Sequence, residues 1–156
     1  MRGSQERMPV NPDAERLLIV NGDDFGRSSG INRGILEAFD DGILTSASLM
    51  TLWPASASAA AATATRSELG VGLHVDLGEW IYADGTWSCT YLRTPLDEPK
   101  AIRIEINRQL SAFRRLLGRD PTHLDSHQHI HRSEPTRSIL AALGAELQIP
   151  LRHLSR

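Results

Sequence analysis

The chain is poor in several things at once. Its single cysteine, Cys89, has no partner for an internal disulfide, so a reducing, cytoplasmic location is expected. Its single lysine, Lys100, stands among seventeen basic residues and follows Pro99 in a polar stretch. No lysine is therefore placed in a motif for Schiff-base chemistry or a phosphate-binding loop. No run approaches the roughly 18 apolar residues of a membrane-spanning helix. Neither sign of charge dominates: seventeen Lys and Arg against nineteen Asp and Glu leave a net charge of −2. Nucleic acid and anionic membrane surfaces are thus not expected partners. With 40% hydrophobic and 23% charged residues, the composition excludes a disordered chain, a collagen-like repeat and a coiled coil. The length, 156 residues, suits one domain.

What is present begins after a polar stretch. Residues 1–15 lack the apolar core of a signal peptide and are expected to form a disordered leader, with the domain spanning 16–156. Leu17 to Val20 reads as a short strand buried on both faces. Ile31, Ile35, Leu36 and Phe39 keep helical spacing up to Gly42, and Ile43 to Met50 is a second strand. Pro54 opens an alanine-rich helix over 55–64. Leu69 to Val75 is a third strand, and residues 76–99 read as a long loop carrying Trp80, Tyr82, Trp87 and Tyr91. Those aromatics suit either a sugar-facing platform or a cap on the core edge. Ile102, Ile106, Leu110, Phe113 and Leu117 predict an amphipathic helix ended by Gly118. A fourth strand at Thr122 to Asp125, a helix at Pro135 to Leu147 and a fifth strand starting near Ile149 complete the order. Strand–helix alternation of this kind predicts an α/β fold with parallel strands, open or part of a (β/α) barrel.

Three clusters of reactive side chains fall at the C-terminal ends of predicted strands, where both kinds of α/β fold place their sites. Asp23 and Asp24 follow the first strand. Adjacent carboxylates repel unless a cation or hydrogen bonds hold them, and two roles, ligand and base, divide naturally between them. His74 ends the third strand, in an apolar setting where a lone histidine is more often a satisfied core residue than a ligand. The fourth strand runs into Asp125, His127, His129 and His131. If that segment stays extended, the three histidines share one face. With no partner cysteines for a structural zinc, a cation there would keep an open coordination position, the catalytic arrangement. Mixed Asp/His ligands suit Zn²⁺, Mg²⁺, Mn²⁺ or Co²⁺. One carboxylate from the first strand with one imidazole each from the third and fourth would make an Asp-His-His site. Such a site hydrolyses amides or esters.

The segments LLIVNGDDFG (17–26), GILEAFDDGILTSASLM (34–50), GVGLHVDLG (70–78) and GRDPTHLDSHQHIH (118–131) occur in one order. In that order they resemble the YdjC-like carbohydrate deacetylases. The resemblance spans Arg16 to about Arg152. It implies a deformed (β/α) barrel of the NodB/TIM-like kind, cut short after about five strands. It also implies a divalent metal, commonly Mg²⁺, and deacetylation of N-acetylated sugars such as chitooligosaccharides or related glycolipids. By position, Asp24, His74 and His127 resemble the metal ligands and Asp23 the general base, with His129 and His131 lining the pocket or backing the ligands. Gly22 replaces the alanine usual before the Asp pair. A complete barrel needs about 250 residues, so this chain is expected to be an N-terminal portion whose open sheet edge invites dimerisation. The general acid is then expected in the rest of the protein.

Three other readings compete. An amidohydrolase-type barrel also uses His-x-His, but from its first strand, where this chain has Asp-Asp. A phosphoacceptor receiver domain shares the acidic pair but needs a late lysine that is missing here. A truncated remnant could bind a divalent metal or a partner without turnover.

Overall fold

The computed structural model describes residues 17–152; the expected leader, 1–15, lies outside them. In chain order the elements are β1 (Asn21–Phe25), α1 (Ser29–Asp40), β2 (Ser46–Leu49), α2 (Ser56–Ala62), β3 (Gly70–Val75), β4 (Gly78–Ala83), β5 (Thr86–Leu92), α3 (Pro99–Leu117), β6 (Leu124–Ser126) and α4 (Thr136–Leu147). Four strands form one parallel sheet in the order β1-β2-β3-β6. Leu151 adds a parallel bridge to Leu124 at the far edge, the start of the expected fifth strand. The α/β class and the parallel order are those the alternation predicts.

Local chemistry explains the helices. Ser28 caps α1 by accepting from the Ile31 amide at 3.3 Å, and Ile35 turns inward one turn on. Helix α3 starts with Pro99, closes on Gly118 at φ +68° and carries Arg114 and Arg115 in its last turn, against the negative end of the helix dipole. Its apolar stripe, Ile102, Ile106, Leu110 and Phe113, is buried in the core with Leu49, Val71, Leu73 and Leu124 of the sheet. Leu140 of α4 joins the same core.

Two expectations are corrected. Leu17 to Ile19 is not a buried strand: these residues are 83%, 74% and 77% exposed, and β1 begins only at Asn21. Val20 is tied to the start of β2, its carbonyl accepting from the Thr45 amide at 2.9 Å. No described strand covers the other side of β1, so the apolar run before it has nothing to pack on. Residues 76–99 are not an irregular loop either. Strands β4 and β5 pair antiparallel from Gly78↔Leu92 to Ala83↔Thr86, joined by Asp84-Gly85 with φ of +51° and +78°. An Asp-Gly pair between apolar residues is a strong hairpin signal, because both positions accept the left-handed backbone that such a turn needs. Trp80, Tyr82, Trp87 and Tyr91 all lie on this hairpin, where Tyr82 pairs with Trp87 across the strands.

Candidate metal centre

The site is assembled at the C-terminal ends of β1, β3 and β6. Strand β1 delivers two carboxylates by breaking its own regularity. Between the pairs Gly22↔Ala47 and Phe25↔Leu49, three steps on β1 face two on β2, and Asp24 takes a left-handed φ of +63°. In a regular strand, neighbouring side chains point to opposite faces; a bulge with a left-handed residue re-aims one of them. The result is that Asp23 and Asp24 both reach His74, each in its own cluster: Asp24 with His74 and His127, Asp23 with His74 and Asp125.

His74, 1% exposed, is the hub. Its Nδ1 lies 2.7 Å from Asp125 Oδ1 and its Nε2 lies 3.3 Å from Asp24 Oδ1. Burial alone would push this imidazole down, but hydrogen bonds to Asp125 and Asp24 outweigh it and lift the group to about 9. Asp125 is fully buried in return. Burial works to raise it, and His74 together with the donating Ser48 hydroxyl, at 2.7 Å, holds it below the usual carboxylate range.

His127 reaches the cluster through a sharp turn that replaces the expected extended run. Residues 127–132 form a tight helical turn in which Gln128 and His129 are left-handed, at φ +51° and +55°. The period-two face shared by His127, His129 and His131 therefore does not exist. His127 alone joins the ligand group, with Nδ1 3.0 Å from Asp24 Oδ1. His131 is buried with Nδ1 2.7 Å from Ser126 Oγ, and His129 meets it edge-on at 5.9 Å between ring centres. Those two rings brace the turn.

The donor set suits a cation. Two ligand atoms bonded at about 2.1 Å and roughly 90–109° apart lie about 3.0–3.4 Å from one another. Asp24 Oδ1 lies 3.0 Å from the His127 nitrogen and 3.3 Å from the His74 nitrogen. One oxygen and two imidazole nitrogens are a borderline set that Zn²⁺, Co²⁺ and Mg²⁺ can share. The second cluster, Asp23, His74 and Asp125, already holds a cation of its own, a guanidinium. Arg152 donates to both oxygens of Asp23 at 2.6 and 2.7 Å and lies 3.2 Å from Asp125 Oδ2. Partial burial works to raise Asp23, and the Arg152 hydrogen bonds outweigh it and keep Asp23 ionised.

The residue patterns had no means of finding Arg152, which meets Asp23 across 129 positions of sequence. Glu79 and Arg27 are further residues that the patterns missed. Arg27 donates to Glu79 Oε1 at 2.6 Å and to Asp24 Oδ2 at 3.3 Å, and Glu79 Oε1 lies 3.4 Å from His127 Nε2. Asp76, just past β3, is a separate buried anchor. It accepts from Trp53 Nε1, the Tyr91 hydroxyl and Arg93 Nε, at 2.8 to 2.9 Å, and so ties the hairpin to the sheet.

The chain is similar to several known proteins. A family model described as YdjC-like protein matches residues 17–156. A chitooligosaccharide deacetylase of Klebsiella pneumoniae (strain 342) is 38% identical over 156 residues, covering 88% of this chain and 59% of the relative. A carbohydrate deacetylase of Geobacillus stearothermophilus is 37% identical over 149 residues, with the same two coverages. The crystal structure of a proposed cellobiose-phosphate cleavage protein of Enterococcus faecalis V583 superposes with a TM-score of 0.68 at 25% identity, covering 88% of this chain and 59% of that one. The chain thus spans 59% of the length of the relatives it matches.

Proposed function

The chain belongs to the YdjC-like family, and from that premise we propose that it carries the metal and base residues of a carbohydrate N-deacetylase, a hydrolase acting on acetamido sugars. The observation that supports this most is the meeting of Asp24, His74 and His127, from the ends of three separate strands, around a single carboxylate oxygen, with Asp23 beside them. The substrate class follows the names of its relatives: N-acetylated carbohydrates, chitooligosaccharides among them.

Asp24, His74 and His127 would hold a divalent cation, Mg²⁺ first and Zn²⁺ or Co²⁺ as alternatives. When bound, the cation supplies Lewis acidity toward the acetamide carbonyl and makes water a stronger acid. Asp23 is the base. Arg152 fixes its carboxylate and keeps it ionised through the neutral range, ready to take the proton as the water oxygen bonds to the carbonyl carbon. The proton held by Asp23 passes to the leaving nitrogen, directly or through a separate general acid, as the C–N bond breaks and acetate and the amine are released. Asp125 turns the His74 ring so that Nε2 faces Asp24. A cytoplasmic location fits the exposed, unpaired Cys89. No helix among the described residues is long and apolar enough to cross a membrane.

Acetate release from N-acetylglucosamine oligomers with added Mg²⁺, Zn²⁺ or Co²⁺ tests the reading. Asp23→Asn should lower the rate by about 10²–10⁴-fold with cation binding retained. Equal activity in that variant would remove Asp23 from the mechanism. The second reading is metal binding without turnover. Calorimetric cation binding with no acetate released by the parent chain would establish it.

A further inference from the structure

The hairpin β4–β5 is fastened to the metal centre at two points, and both lie next to His127. The first is electrostatic. Asp24 Oδ1 faces His127 Nδ1 at 3.0 Å, and the opposite ring nitrogen, Nε2, faces Glu79 Oε1 at 3.4 Å. Glu79 Oε1 accepts from Arg27 Nη2 at 2.6 Å, and Arg27 Nη1 returns to Asp24 Oδ2 at 3.3 Å. Four side chains thus close a ring: carboxylate, imidazole, carboxylate, guanidinium. The guanidinium carbon of Arg27 sits 4.9 Å from the centre of the Trp53 ring, which fixes the plane of the fork. The second point is a peptide clasp. The Gln128 side chain accepts from the Trp80 amide at 2.9 Å and donates to the Trp80 carbonyl at 2.7 Å. Gln128 follows His127 and holds one of the two left-handed backbone positions that make the turn.

His127 is 7% exposed, and its Nε2 is a buried nitrogen without a hydrogen bond, aimed at Glu79 across a gap slightly longer than such a bond. A buried polar nitrogen is costly to leave unpaired, so the Glu79 carboxylate is its natural acceptor. His74 has the same arrangement already closed, with Asp125 at 2.7 Å on the nitrogen that faces away from Asp24. Imidazoles that bind cations commonly pass their other N–H to a carboxylate, which sets tautomer and ring orientation.

We propose that Glu79, held by Arg27, is a positioning residue for His127, and that through it the hairpin is a working part of the cation site. The inference rests on the metal-site reading above. With a cation bound, Nε2 of His127 would keep its proton for Glu79 and leave the Nδ1 lone pair for the cation. The Gln128 clasp holds the turn in register with the hairpin.

The experiment compares the parent chain with Glu79→Gln, Glu79→Ala and Gln128→Ala by three measurements. Calorimetry with Zn²⁺ and Co²⁺ gives affinity, and the visible absorption of the Co²⁺ form reports ligand geometry. Proton NMR of the metal-free chain follows the His127 Nε2–H. The Glu79 variants should bind about 10–100-fold more weakly and show altered Co²⁺ bands. The Nε2–H signal should be slow to exchange in the parent and lost in Glu79→Ala. Gln128→Ala should weaken binding with the Nε2–H signal retained. Parent-like affinity and Co²⁺ bands in both Glu79 variants overturn the proposal, as does an Nε2–H signal that ignores Glu79. A parent chain that binds neither cation removes the metal-site reading, while the NMR comparison still decides whether Glu79 holds the ring.

Discussion

Asp24 carries the cost of the site in its own backbone. A left-handed φ of +63° in a residue with a Cβ is unfavourable by roughly 1 kcal/mol or more, and it persists where the surroundings over-determine it. Here His74, His127 and Arg27 all engage its carboxylate. The same charges set the pH dependence of the metal-free protein. His74 titrates near 9, above its ordinary 6.5, so its stabilisation is fully present below about 6.5 and fades as pH rises through 9. Asp23, Asp24 and Asp125 are depressed, so their contribution is present above the ordinary 3.8 and is lost on acidification below it. Urea unfolding of the metal-free chain should therefore show a maximum between these limits and a decline from about pH 7 to about pH 10, worth a few kcal/mol at most. A flat profile across the alkaline range would show that His74 is neutral in the folded state. Cation binding, which needs the neutral ring, should strengthen over the same alkaline range.

At the scale of elements, β3 works because it lets the side chain just ahead of β6 lie across it. A Cβ built on Gly72 would collide with the His123 ring, which in turn sits 3.0 Å from Ser48 Oγ. Burial pushes His123 down and keeps the ring neutral, so it fills this space as an uncharged plate. Gly72→Ala should destabilise the chain by about 1–3 kcal/mol, read as a drop in thermal midpoint. His123→Ala should relieve most of that loss in the double variant; independent, additive losses would show that the clash is not the cause. The histidine-rich turn carries a different lesson. Its alternating sequence fits an extended strand, yet the Ser126–His131 contact and the Trp80–Gln128 clasp bend it tightly. Long-range partners, invisible to a period-two pattern, decided its shape.

At the scale of the whole molecule, the sheet has two open sides among the described residues. Just before β1 in the chain come the exposed Leu17, Leu18 and Ile19, with Ile43 also 74% exposed. A cavity of about 410 Å³ opens beside them, bordered by Ile19, Asn21, Ser46, His123 and Arg152. An unpaired strand edge next to apolar side chains promotes association. The chain by itself should self-associate at micromolar concentration in analytical ultracentrifugation, and Leu18→Lys with Ile19→Lys should shift it toward monomer. A monomer in both forms would show that this edge is benign.

The α/β class, the parallel order and most helices were legible because their signals are local: apolar spacing, Pro54 ahead of the alanine-rich helix and Gly118 at a helix end. The residue types of the candidate site were legible too, since Asp-Asp, His74 and a histidine run stand at strand ends in the sequence. Linear patterns do not hold the distances that make those residues a site. Only the folded chain places Arg152 on Asp23, Asp125 behind His74 and Glu79 beyond His127, across separations of 129, 51 and 48 residues. The physical reason lies in what each level depends on. Secondary structure follows from spacing within a few residues. The orientation of an imidazole or a carboxylate follows from a buried charge finding its partner, and that partner is chosen by packing.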